Sequence, residues 1–168
     1  MAEIANLNRR DFLRIGGSGL VGLAAWPAIA ASAAREAEAP QGYPVMDIGP
    51  LSGLAPGAAI RFHYPDADSP AVMLRLAEPA IDGIGPGRAV VAFSTLCTHK
   101  GCPVDFHAER KLLICPCHWS SFDASKAGSV VIGQASQPLP RIRLTIDGDR
   151  IRAVGVEGLI YGRHTNII

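Results

Sequence analysis

Four cysteines and two histidines stand in two short stretches of one 22-residue span, Cys97-Thr98-His99-Lys100-Gly101-Cys102 and Cys115-Pro116-Cys117-His118. The two stretches have the forms C-x-H-x-x-C and C-x-C-H. Each supplies one Cys and one His at ligand spacing, plus one further Cys. A fold that uses both must bring two separate loops to one point. Two thiolates and two neutral imidazoles suit a zinc ion, or a [2Fe–2S] cluster whose ligands are divided between its irons. Two plain disulfides beside two surface histidines are a third possibility. Zinc ribbons usually repeat one C-x-x-C motif, whereas these two halves differ.

The pair of loops resembles the Rieske iron–sulfur proteins. The resemblance implies that Cys97 and Cys115 bind one iron of a single [2Fe–2S] cluster, and that His99 and His118 bind the other. Two ferric ions, two sulfides and two thiolates sum to a neutral cluster, where four thiolates would leave a dianion. A neutral cluster accepts an electron more readily, which places such centres in the range of roughly −150 to +300 mV. The resemblance also pairs Cys102 with Cys117 in a disulfide that ties the loops together. Closing a loop of about 15 residues is worth roughly 3 kcal/mol in the chain-entropy picture.

The second loop continues Trp119-Ser120-Ser121-Phe122-Asp123. By the same resemblance, the Ser120 hydroxyl donates to a bridging sulfide. Phe122 stands where respiratory members carry a Tyr that donates to a ligand sulfur, and Trp119 stands where they carry Gly. Trp119 is expected to pack within its loop. Gln137-Pro138-Leu139-Pro140-Arg141 looks like the proline-containing third loop that covers Rieske clusters, with Pro138 and Pro140 stiffening it through their fixed φ.

Residues 1–33 read as an export signal. Asn8-Arg9-Arg10-Asp11-Phe12-Leu13-Arg14 resembles the twin-arginine motif. An uncharged stretch follows from Ile15 to Ala34 and ends in two small-x-small sites, Ala28-Ile29-Ala30 and Ala31-Ser32-Ala33. Its length would span a membrane, but four Gly, two Ser and a Pro weaken its hydrophobicity. A periplasmic protein is expected, with membrane contact only through this segment. Twin-arginine export carries folded proteins, which suits a cluster inserted in the cytoplasm. An oxidising compartment would also permit the disulfide.

Residues 34–42 read as a linker and 43–168 as one domain, with its cluster-binding loops within 95–123. The whole chain carries 16 basic and 15 acidic residues. Removing residues 1–33 takes away three Arg and two acidic groups and leaves 13 of each sign. Nothing in that balance suggests nucleic-acid binding or a polybasic membrane patch. Thirteen Pro and eighteen Gly leave little room for long helices. Strands are expected over 58–64, 71–76, 88–93 and 111–114, and a hairpin over 142–156 turning at Asp147-Gly148-Asp149. The fold class is all-β, a Rieske-type arrangement of small antiparallel sheets with a cluster-binding subdomain. His63, His107 and His164 lie outside any ligand pattern and read as surface or packing residues.

Beyond the ligand loops, several stretches resemble the small subunit of arsenite oxidase. They include Tyr64-Pro65-Asp66-Ala67-Asp68-Ser69-Pro70, Gly133-Gln134-Ala135 and Ala153 through Arg163 in the tail. The resemblance implies an electron-transfer subunit with no catalytic residue of its own. Its partners would be a large molybdopterin and iron–sulfur subunit that oxidises arsenite, and a soluble acceptor, either a c-type cytochrome or a small copper protein. Some family members lack the disulfide pair that this chain has. Three rivals are a quinol-oxidising respiratory subunit, the Rieske domain of a ring-hydroxylating dioxygenase, and a structural zinc module. Because Phe122 cannot donate to sulfur, the reduced and more negative cluster loses one stabilising hydrogen bond. The potential is therefore expected to lie below that of Tyr-containing respiratory homologues. A redox titration followed by EPR checks this, with Phe122→Tyr raising the midpoint.

Overall fold

The computed structural model describes residues 42–167. The export-signal segment and all of the linker except Gly42 lie outside the described residues. Ten strands and two short 3-10 turns make up the domain. They are β1 (Met46–Pro50), β2 (Ala59–His63), β3 (Pro70–Arg75), β4 (Val90–Ser94), β5 (Asp105–His107), β6 (Leu112–Ile114), β7 (Ser121–Asp123), β8 (Ser129–Ile132), β9 (Arg141–Asp147) and β10 (Arg150–Glu157). A six-stranded antiparallel sheet runs in the order β1-β10-β9-β4-β3-β2, and a four-stranded one runs β5-β6-β7-β8. The all-β expectation holds. No helix among the described residues is long and apolar enough to cross a membrane.

Each expected strand is present within a few residues. The hairpin turns where Gly148 takes a positive φ of 58° between Asp147 and Arg150. Strands β1, β5, β7 and β8 were not expected. Three residues of Asp-Phe-His or Ser-Phe-Asp carry too little alternation to be told from loop.

Strands β3 and β4 are buried on both faces, and this determines how the two sheets meet. Successive side chains point to opposite sides of a strand. Ala71, Met73, Val90 and Ala92 face one core, shared with Ile142, Leu144, Ile151 and Ala153 of β9 and β10. Met46 and Ile48 of one edge strand and Ile60 and Phe62 of the other pack against this same core, so the sheet curls around it. Val72, Leu74, Val91 and Phe93 point the other way, into a second core with Leu113, Phe122, Ala124 and Leu139. That second core joins the small sheet to the large one.

The small sheet is an excursion between two neighbouring strands. β4 and β9 pair at Phe93 and Arg141, and the Ser94 N–H donates to the Pro140 carbonyl at 2.8 Å. The chain thus leaves and returns at one point, and residues 95–140 form the intervening unit.

The tail is fastened to the Tyr-Pro-Asp stretch. The Arg163 guanidinium donates to Asp66 Oδ1 at 2.7 Å, with both side chains largely buried. Buried Asn166 accepts from the Ile160 N–H at 2.9 Å and donates to the Gly158 carbonyl at 2.7 Å. The two stretches that set the finer resemblance are therefore in contact with each other. Arg163 holds the Asp66 carboxyl below its ordinary range, against the opposing effect of burial. A depressed carboxyl contributes stability that is complete above its unfolded pKa of about 3.9 and is lost as pH falls through the lower folded value. Asp66→Asn is expected to lower stability at neutral pH by roughly 1.5–3 kcal/mol, as for other charged hydrogen bonds. Thermal unfolding from pH 7 to pH 2 should show this gap closing only below about pH 4.

Candidate metal centre

The two Cys-His stretches form loops of matching shape. Residues 97–102 lie between the bridged pair Leu96 and Pro103, and residues 115–120 lie between the paired Ile114 and Ser121. In the first loop the Cys97 N–H donates to the Cys102 carbonyl at 2.8 Å, and the Gly101 N–H donates to the Cys97 carbonyl at 2.8 Å. In the second, the Cys115 N–H donates to the Ser120 carbonyl at 2.9 Å, and the Trp119 N–H to the Cys115 carbonyl at 3.0 Å. Both loops need a left-handed residue at their fifth position. Gly101 supplies it at φ 73°, and Trp119 at φ 60°.

Loop packing for Trp119 is overturned. Its side chain is 71% exposed. The left-handed turn of the loop dictates its backbone and directs the ring outward. A β-carbon in that region costs about 1–2 kcal/mol. Phe122, by contrast, is fully buried in the second core.

The loops bring their donor groups together in two pairs, the thiols and the imidazoles. Cys97 and Cys115 are free, buried thiols within hydrogen-bonding reach of each other. Burial pushes the Cys97 thiol up, opposed by the His99 and Lys100 backbone N–H groups that point at its sulfur. The His99 and His118 rings stand edge to face with centroids 4.7 Å apart. His118 is exposed and His99 half-buried. His99 Nδ1 is buried and has no hydrogen-bond partner. A buried unsatisfied nitrogen calls for an explanation, and a metal-ligand role is one.

The remaining cysteines, Cys102 and Cys117, form the expected disulfide across the loops. The Cys102, Cys115 and Cys117 sulfurs lie within 4.8 Å of one another. Only Cys115 of the three is a free thiol, so that trio is a disulfide resting against a ligand cysteine and not a three-thiolate site.

Two further loops support the pair. Fully buried Ser120 accepts from the Gln134 and Ala135 N–H groups through its Oγ, both at 3.0 Å. With those two bonds accepted, its own proton is free to donate elsewhere. Gly133 permits this approach, since a β-carbon there would stand 2.3 Å from Ser120 Cα. The third loop is fastened to the first, because Thr98 Oγ1 donates to the Gln137 carbonyl at 2.7 Å. Pro140 is buried and Pro138 exposed. Arg141 anchors the end of this loop through Asp82 and Glu157. Sequence reading did not assign roles to Gly133 or Thr98. A glycine in a loop was visible, but the surface it had to approach was not. His63 ends β2, His107 ends β5 and His164 is exposed in the tail, all apart from this donor set.

Residues 67–143 match the model of the Rieske [2Fe–2S] domain. The chain is 41% identical over 167 residues to the iodate reductase subunit IdrB of Denitromonas iodatirespirans, covering 98% of this chain and 89% of that one. It is 39% identical to the corresponding subunit of Pseudomonas sp. strain SCT, covering 95% and 84%. The chain belongs to the Rieske [2Fe–2S] family. The soluble domain of Rieske protein II from Sulfolobus acidocaldarius has the same fold, with a TM-score of 0.67 and 26% identity over 75% of this chain and 84% of that one.

This Rieske protein takes one [2Fe–2S] cluster as its cofactor, and the residues present fit it. Two buried thiols gain from a neighbouring cation what burial alone denies them, because metal coordination deprotonates a thiol outright. The orphaned His99 Nδ1 is an open ligand atom on the loop that carries Cys97. Removing the Ser120 hydroxyl leaves two backbone N–H groups without an acceptor, each worth about 1–3 kcal/mol when buried. Ser120→Ala is therefore expected to lower stability by at least about 1 kcal/mol. Chemical denaturation of the protein with the cluster removed checks this independently of the metal.

Proposed function

We propose that this Rieske protein is the electron-transfer subunit of a periplasmic oxidoreductase acting on an oxyanion, and that its partner is a large molybdopterin and iron–sulfur subunit that oxidises arsenite. One observation carries the electron-transfer reading: the same two loops bring together a pair of buried thiols and a pair of histidine rings, one of them exposed. Cys97 and Cys115 would hold the inner iron and His99 and His118 the outer. When bound, the cluster supplies a site that gains and loses one electron at a time.

The chain's own groups do the rest. The second core and the disulfide keep water from the thiol side. His118 presents the edge through which electrons reach or leave a partner. The N–H groups of His99 and Lys100 stabilise negative charge on the Cys97 sulfur. Ser120, held by Gly133 through Ala135, keeps a proton that would be available to donate to the cluster. Pro138 and Pro140 stiffen the third loop, which would cover the cluster from the side where Thr98 holds Gln137. The twin-arginine motif supports export to the periplasm.

The arsenite reading rests on the sequence resemblance that runs from the leader through the Tyr-Pro-Asp stretch to the tail. Electrons would then move from the large subunit through the histidine edge to a c-type cytochrome or small copper protein. A second reading has a specific support of its own, which is the similarity of nearly the whole chain to iodate reductase subunits. It reverses the flow, from an external donor inward to the large subunit. The quinol-oxidising alternative requires a firm membrane anchor, and the Ile15–Ala34 stretch is weak for that role.

The native complex separates these readings. The arsenite reading expects arsenite to reduce the Rieske centre, seen by EPR, and then to reduce added cytochrome c. The iodate reading expects a chemically reduced centre to be reoxidised on adding iodate, with no response to arsenite. Reduction by a quinol in a membrane fraction, with neither oxyanion active, would sink both.

A further inference from the structure

Resting on the electron-transfer reading, we propose that the C-terminal tail is a clasp on the first ligand loop, with Tyr161 as a positioning residue for the cluster. The tyrosine ring lies against Gly101, the left-handed corner of the loop that carries Cys97 and His99. A β-carbon on Gly101 would stand 2.5 Å from Tyr161 Cδ1 and 2.7 Å from Cε1. The ring therefore occupies the space that a side chain at this corner would fill.

The contact is built from both sides. Gly101 is bonded to the Cys97 carbonyl and adjoins Cys102 of the disulfide. Pressure on this corner is thus passed to a ligand cysteine and to the link between the loops. Behind Tyr161 the tail is fixed at three points. Ile160 is buried in the larger core, Asn166 closes the Gly158–Ile160 turn with two hydrogen bonds, and Arg163 is held by Asp66. A tail fastened this firmly can hold a loop, whereas a free end could not.

Comparison of the two loops shows what the ring does. The second loop is braced from inside, where Ser120 is gripped by Gly133 through Ala135. Cys102 occupies the corresponding position of the first loop, and its side chain is committed to the disulfide. Besides the disulfide, the second core and Thr98, whose hydroxyl reaches the third loop, the first loop is supported at its left-handed corner by Tyr161. Tyr161 is 38% exposed, and among the described residues no hydrogen bond uses its hydroxyl. The aromatic face, and not the phenol, carries the role.

The test uses the full-length, cluster-loaded protein. Tyr161→Ala is expected to speed iron loss to a chelator by roughly tenfold, the lower end of what removing a group that orients metal ligands costs. It should also move the EPR g-values and the midpoint potential, which loss of global stability alone would not shift. Tyr161→Phe should retain the wild-type values of all three. Gly101→Ala drives a β-carbon into the ring from the other side and should shift the spectrum in a Tyr161 background more than in a Tyr161→Ala background. This second arm keeps the proposal open to refutation if Tyr161→Ala yields little folded protein. Unchanged chelation rate, spectrum and potential in Tyr161→Ala, or equal effects of Gly101→Ala in both backgrounds, overturn the clasp alone. A wild-type protein with no Rieske spectrum overturns the electron-transfer reading and the clasp with it.

Discussion

Two thiols from separate loops must meet at one buried point, and the rest of the structure is arranged around that requirement. Neither loop could hold its cysteine there alone. Each has only two internal backbone hydrogen bonds and a single left-handed corner to define it. The disulfide between Cys102 and Cys117 links the loops covalently at their outer side. The second core fixes them from beneath, through Leu113, Phe122 and Leu139 packed on Val72, Val91 and Phe93. Burial raises the energetic cost of an isolated thiolate, so the point is poised for a cation that removes that cost.

The two-faced strands β3 and β4 make this possible. An ordinary antiparallel sheet has one face toward a core and one toward water. Here the outer faces of β3 and β4 are covered by the ligand-bearing unit, so the large sheet acts as its rigid floor. Because residues 95–140 leave and return between neighbouring strands, the unit is anchored at both ends by one sheet. A metal centre on such a base keeps its geometry when its charge changes, which suits an electron carrier.

The two ligand loops share a backbone but differ in what supports them. Ser120 and Gly133 brace one from inside, and Thr98 and the tail brace the other from outside. The outward-pointing Trp119 and exposed His118 belong to the same loop. This loop therefore carries exposed aromatic and imidazole surface on its outer side.

The sequence by itself narrowed the metal chemistry, because thiolate and imidazole donors at fixed short spacings allow few metal groups, and its resemblance to Rieske proteins pointed to the [2Fe–2S] cluster among them. It also determined the all-β class, since alternating apolar residues broken by Gly and Pro permit little else. It could separate β3, β4, β9 and β10 from loop because each carries five or more residues of apolar pattern. It could not see β5, β7 and β8, whose pairing depends on neighbours and not on their own composition. Tertiary structure alone decided that Trp119 faces outward, that Gly133 serves Ser120, that Arg163 meets Asp66 and that Tyr161 rests on Gly101. Each of these joins residues distant in the chain, or turns a side chain by a backbone angle that its own residue type does not favour. Residue identity says what a group can do, and only the closed fold says which group it meets.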